Sequence, residues 1–145
     1  MTTERNKEII GRTVLVDLPK LRLKGIAAKI DTGAYYCTLH CHHIKVQEKA
    51  GKQVLYFNLL DPSHPEYNDK TKRFYEYTEK MIKNSFGEME KRYLISTSIR
   101  INKRRIRTLI SLTDRGNMKY PMLIGRKLLR NKFIVDVTLK ETKPT

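Results

Sequence analysis

Cysteine occurs only twice in 145 residues, tryptophan not at all, and acidic side chains are half as many as basic ones. Two cysteines exclude a disulfide-dense secreted scaffold. No run reaches the roughly 18 apolar residues that a membrane-crossing helix needs, so no membrane partner is expected. Met1 to Ile10 is polar and lacks the apolar stretch of a secretory leader, which makes a cytoplasmic location the expectation. No internal repeat, low-complexity tract or linker interrupts the chain. A glycine-rich phosphate loop is missing, as are a His-Glu-x-x-His helix and a zinc-finger pattern. Nothing supports ATP use, and no cofactor is expected.

What is present is charge and a modest core. Lys and Arg number 30 against 15 Asp and Glu, a formal charge of +15, and 39% of residues are apolar. This length makes one compact domain, residues 1–145, with a core over about 11–137 and loose polar ends. The excess charge draws in anions: nucleic acid, an anionic surface or an acidic polypeptide. Its densest stretch, Lys103-Arg104-Arg105-Ile106-Arg107, reads equally as a solvated hairpin turn and as a phosphate-binding patch.

The patterning is mostly β. Thr13–Leu18 is a β-branched run ended by Pro19, and Gly25 precedes a second strand, 26–30. Residues 43–47 and 53–57 flank Ala50-Gly51 as a hairpin. The turn formers of 61–70 make a surface loop. A second hairpin joins 80–83 to 91–95, and its long second strand turns at Asn102-Lys103 into 106–112. Residues 121–124 form an apolar strand stopped by Gly125, 127–131 a short helix, and 133–137 a closing strand. Many short strands and one late helical turn predict a small closed or sandwiched all-β fold.

Two motifs carry chemistry. Ile30-Asp31-Thr32-Gly33-Ala34 runs an apolar strand into an acid, a hydroxyl and a glycine, a pattern that also suits an ordinary strand-to-turn junction. Met122-Leu123-Ile124-Gly125-Arg126 then ends a strand at a tight turn. In this order they resemble the retropepsin-like aspartic proteases, at Asp31, Thr32, Gly33, Ala34, Leu123, Ile124, Gly125 and Arg126. The wording around them is similar to a bacterial and archaeal branch labelled ATP-dependent zinc protease and associated with ribosomal-protein glutamate ligases. The phrases that carry this are 29–34, Leu39-His40, Ser111 to Arg115, and Met118 to Arg126. The likeness spans roughly residues 11–137.

The resemblance implies an all-β acid-protease barrel with one short C-terminal helix, and an aspartic peptidase. Asp31 would be the catalytic acid/base, with Thr32 and Gly33 shaping its loop and Ala34, Gly125 and Arg126 supporting it. Hydrolysis needs a base to activate water and an acid to protonate the amide, and two carboxylates about 3 Å apart share one proton and serve both roles. The chain holds a single Asp-Thr-Gly and no Asp-Ser-Gly, so a two-fold homodimer would supply the second carboxylate. Ser85, Phe86 and Gly87 form the candidate flap, with an ordinary hairpin as the alternative. Tyr35 stands where viral retropepsins carry an acid that pairs with the later Arg, leaving Asp114 or Asp136 as partners for Arg126.

Cys37, His40, Cys41, His42 and His43 invite a metal reading, but no second Cys/His pair follows except the lone His64, so no metal is expected. The cysteines read instead as half-buried small side chains, the histidines as a surface row, with His40 near the catalytic loop. The expected partner is a peptide or protein substrate of acidic character. The alternative function is a non-catalytic basic β module that binds RNA or ribosome.

Overall fold

A computed structural model describes residues 7–84, 86–114 and 119–142. The strands are β1 (Glu8–Ile10), β2 (Thr13–Leu18), β3 (Leu23–Ile30), β4 (Cys37–Lys49), β5 (Lys52–Leu59) and β6 (Thr71–Phe74). They continue as β7 (Thr78–Lys83), β8 (Met89–Ile101), β9 (Arg104–Thr113), β10 (Met122–Ile124) and β11 (Phe133–Val135), with helix α1 (Arg126–Leu129) between the last two. The fold is all-β and retropepsin-like, with one short late helix.

The strands form where two-residue alternation places apolar side chains on one face. In β2, Val14, Val16 and Leu18 point inward and Leu15 points out. Pro19 ends the strand and opens a single 3-10 turn, Pro19–Leu21, which folds β3 back antiparallel onto β2. Between β4 and β5, Ala50 and Gly51 both take positive φ, 53° and 82°, the twist that a two-residue hairpin turn demands.

The neighbour order β10-β3-β2-β8-β9-β4 closes into a ring-like sheet, because β10 also pairs with β4. β10 is thus wedged between two strands consecutive in the chain, parallel to β3 and antiparallel to β4. Inside the ring lie Val16, Ile26, Leu39, Ile99, Ile110 and Ile124, each at most 1% exposed.

Six stretches differ from the sequence expectation. Residues 8–10 are held: β1 pairs in parallel with β11, register Ile9↔Ile134. Residues 139–142 run beside Gly11–Thr13, with the Arg12 amide donating to the Leu139 carbonyl at 2.8 Å. A Cβ on Gly11 would lie 2.7 Å from the Glu141 carbonyl oxygen, so that approach requires glycine. β4 begins at Cys37, six residues earlier than its periodicity announces, and the charged strand β6 follows the 61–70 loop where the sequence reading assigns no strand. Helix α1 is Arg126–Leu129 rather than 127–131, and β11 stops at Val135.

Candidate active site

The register of β10 builds the Asp31 loop. Ile124 faces Ile30 at the ends of two parallel strands, and the Asp31 amide donates to the Ile124 carbonyl at 2.9 Å. Asp31 therefore emerges just past the sheet edge. Its Oδ1 accepts from the Gly33 amide at 3.1 Å, and its carbonyl accepts from the Ala34 amide at 3.2 Å. These bonds curl 31–34 into a tight turn with Thr32 and Gly33 exposed.

The segment after β10 clamps this loop from below. The amides of Arg126 and Lys127 donate to the carbonyls of Ala34 and Tyr35, at 2.9 and 3.0 Å. Such an approach leaves no room for a side chain at Gly125, whose Cβ would lie 2.4 Å from the Tyr36 carbonyl oxygen. The Arg126 side chain does not pair with Asp114 or Asp136, as expected from sequence. It donates to the Gly33 carbonyl at 3.1 Å and the Thr32 carbonyl at 3.3 Å, and it stacks over the Tyr35 ring with its Cζ 5.5 Å from the centroid. Tyr35 thus meets the cation with a π face where an acid was missing. Asp136 is engaged elsewhere: its carboxylate accepts from the Thr138 amide and hydroxyl, which hold it below the usual carboxylate range.

A cleft of about 590 Å³ opens above Asp31. Its floor follows from register, since Leu123 faces Thr38 and Thr38 faces Ser111 across three adjacent strands. Its far wall is the β7–β8 hairpin, through Met81, Ile82, Lys83 and Asn84. Asn84 builds the hairpin turn by accepting on its Oδ1 from the amides of Phe86 and Glu88, at 2.9 and 3.0 Å. Phe86 is 88% exposed there and Gly87 takes φ 81°, while Ser85 lies outside the described residues. Lys80 of the hairpin reaches over Tyr36, its Nζ 5.6 Å from the ring centroid, and the Tyr36 hydroxyl raises the Lys80 pKa. Among the described residues that line the cleft, Asp31 is the only carboxylate.

Sequence reasoning missed Arg92, which lines the same cleft and is 6% exposed. The signal was there: along β8, positions 92 and 94 both face inward, so an arginine occupies a core position.

The Cys/His run behaves differently from its expectation. Cys37 and Cys41 are fully rather than half buried, and burial pushes the Cys37 thiol up to about 12 and raises Cys41 as well. His40 is 2% exposed and points at Asp61, with Nε2 3.7 Å from its carboxylate, rather than lining a surface or the cleft. His42 is held to the Leu60 carbonyl at 2.7 Å, and only His43 is exposed. Among the described residues no three His, Cys, Asp or Glu side chains gather closely enough to hold a metal ion.

A ring-like β sheet with a strand wedged beneath an Asp-Thr-Gly loop, and a hairpin across the cleft, defines a retropepsin-like fold. The chain belongs to the RimB-like family, described as the retropepsin-like aspartic endopeptidase RimB, which matches residues 9–145. It is similar to a probable alpha-L-glutamate ligase of Shewanella halifaxensis (strain HAW-EB4), 34% identical over 90% of this chain but only 29% of that protein. A protein of the same description from Desulfotalea psychrophila (strain LSv54 / DSM 12343) is 28% identical over 97% of this chain and 30% of its own length. The chain thus spans less than a third of these curated relatives. Among solved structures, Lpg0085, a protein of unknown function from Legionella pneumophila subsp. pneumophila str. Philadelphia 1, matches with a TM-score of 0.71. That match is 27% identical and covers 92% of this chain and 96% of the other.

Proposed function

We propose that the chain is an aspartic endopeptidase that works as a homodimer, each copy contributing Asp31. The observation that carries this reading is the one carboxylate among the described residues of the cleft, held at a strand end by backbone bonds and open to solvent. One carboxylate cannot be both base and acid in one step. Two related by a two-fold axis can share a proton. The ionised member takes a proton from water as its oxygen adds to the peptide carbonyl. The protonated member gives its proton to the carbonyl oxygen. Collapse of the tetrahedral adduct then returns a proton to the amide nitrogen as the C–N bond breaks. Thr32, exposed beside Asp31, would bond across the axis, and the β7–β8 hairpin, with Phe86 and Gly87 near its tip, would act as a flap that excludes water.

The proposed substrate is an acidic peptide. Supporting this are the +15 charge, which steers polyanions, and the description of the longer relatives as glutamate ligases. The work is proposed to take place in the cytoplasm.

Mixing Asp31→Asn with unaltered subunits tests the shared site. At equal amounts, only about a quarter of random dimers hold two aspartates, so hydrolysis of a glutamate-rich peptide should fall to about a quarter. A fall to one half means that each copy works alone and removes the homodimer. No hydrolysis by the unaltered protein removes the peptidase.

One observation favours a second reading, an RNA-binding surface. Arg105 and Arg107 are exposed on β9, and Arg100 faces Arg105 across β8. Affinity falling steeply with salt, undisturbed by Asp31→Asn, would support it.

A further inference from the structure

Arg92 is the one arginine of the described chain that is buried, and it is buried in the wall of the Asp31 cleft. Inward alternation along β8 puts it on the same face as Leu94, and Leu94 faces Ser111 on β9. Its Nε and one terminal nitrogen both donate to a single oxygen of Glu90, the Nε at 2.8 Å. The other terminal nitrogen, Nη1, has only the Ser111 hydroxyl, at 3.4 Å.

Two physical points make this edge unusual. A guanidinium taken out of water is costly unless its donors are well used, and good N–H···O bonds run near 2.7–3.2 Å. The Nη1 bond to Ser111 is longer than that, so Arg92 keeps donor capacity on the side that lines the cleft. The cleft also has a charge imbalance: among the described residues, Lys83, Arg92 and Arg126 line it against Asp31 alone. Glu90 offsets the Arg92 charge from behind but is not part of the lining. An anionic group fits there, and the planar fork of arginine is matched to a carboxylate.

We propose that Arg92, with Ser111, reads the side-chain carboxylate of an acidic substrate residue bound in the Asp31 cleft. This rests on the reading of the cleft as a peptide site and adds the residue that selects among peptides. Arg92 is a specificity-determining residue with no part in proton transfer. It differs from long-range steering by the +15 charge, because a buried contact is screened little by salt.

The test is calorimetric titration of the Asp31→Asn protein, which cannot consume its ligand. The probes are an oligo-glutamate peptide and its oligo-glutamine twin, both acetylated and amidated. The glutamate peptide should bind about tenfold tighter or better, and the preference should survive high salt. Adding Arg92→Gln should bring the two affinities together, while the glutamine peptide binds as before. Ser111→Ala should narrow the preference by less. Should Arg92→Gln fail to fold, Arg92→Lys keeps a cation beside Glu90 but loses the fork, and the preference should shrink several-fold.

An unchanged glutamate preference in folded Arg92→Gln or Arg92→Lys overturns the assignment, as does equal binding, or no binding, by the starting protein. Equally tight binding of a glutamine peptide with a free C-terminus would give the pocket to a terminal carboxylate and overturn the side-chain reading. The two proposals fail separately. Arg92-dependent binding without any hydrolysis by the Asp31 protein removes the peptidase and leaves this site. Hydrolysis whose glutamate preference ignores Arg92 does the reverse.

Discussion

The Asp31 loop and the Cys37–His43 run adjoin in the chain, and both are rich in reactive residue types. The loop holds one carboxylate in a cleft open to solvent, pinned by backbone bonds on both sides. The run holds two thiols and three imidazoles, yet both thiols and His40 are buried. A dense cluster of ligand-type side chains is therefore no guide to a site. The edge of the sheet is the guide, because strand ends release side chains to solvent while strand interiors bury them. β4 is buried at every position from Cys37 to Cys41, where β9 and β10 flank it.

That contrast can be broken most sharply at the thiols. If Cys37 and Cys41 belong to the core, a thiol reagent at pH 8 should label the native protein about a thousandfold more slowly than the unfolded chain. Fast labelling would put them back among the reactive groups. The same burial ties the thiols to stability. An unfolded thiol loses its proton near 9.0 and the folded Cys37 thiol near 12, so the unfolded state binds fewer protons between those values and stability falls as pH rises through them. Replacing Cys37 with Ala should flatten that slope in denaturant titrations.

On the loop side, Gly125→Ala is the larger change. Its Cβ would sit 2.4 Å from a backbone oxygen that cannot turn aside, so about 3 kcal/mol of stability should be lost in urea unfolding. Hydrolysis should fall with it, because the loop it displaces carries Asp31. A neutral Gly125→Ala would mean that the clamp is loose. Arg126→Lys is the smallest, about 1 kcal/mol or less, since the bonds it loses to the Thr32 and Gly33 carbonyls are exposed. Its value is diagnostic: the loss should be matched by Tyr35→Leu and not deepened in the double variant, if stacking on Tyr35 replaces the missing acid.

Much of the fold was legible in the chain. Thr13–Leu18 is a strand with the bounds its alternation announces, and the two hairpins sit where Ala50-Gly51 and 84–88 place them. What escaped was whatever depends on distant partners. β1 has three residues and exists by pairing with residues 133–135. β6 is lysine- and arginine-bearing and exists by pairing with β5. The Asp31 loop could be read because Asp31-Thr32-Gly33 and Gly125-Arg126 are each contiguous in the chain, although the crowding that requires Gly125 comes from Tyr36 far along it. Arg92 could be read only by carrying the inward alternation of Leu94 back two residues, and that signal says nothing of the cleft into which it turns.

Alternation, turn formers and the Asp-Thr-Gly and Gly-Arg segments are local properties, and by themselves they determined a β chain with one carboxylate loop and a basic surface. Only the tertiary structure decided that β10 lies between β3 and β4, that Cys37, His40 and Cys41 are buried, and that Arg92 shares a cleft with Asp31. Those are matters of register between strands far apart in the chain, and register is set by how the whole ring packs rather than by any one segment.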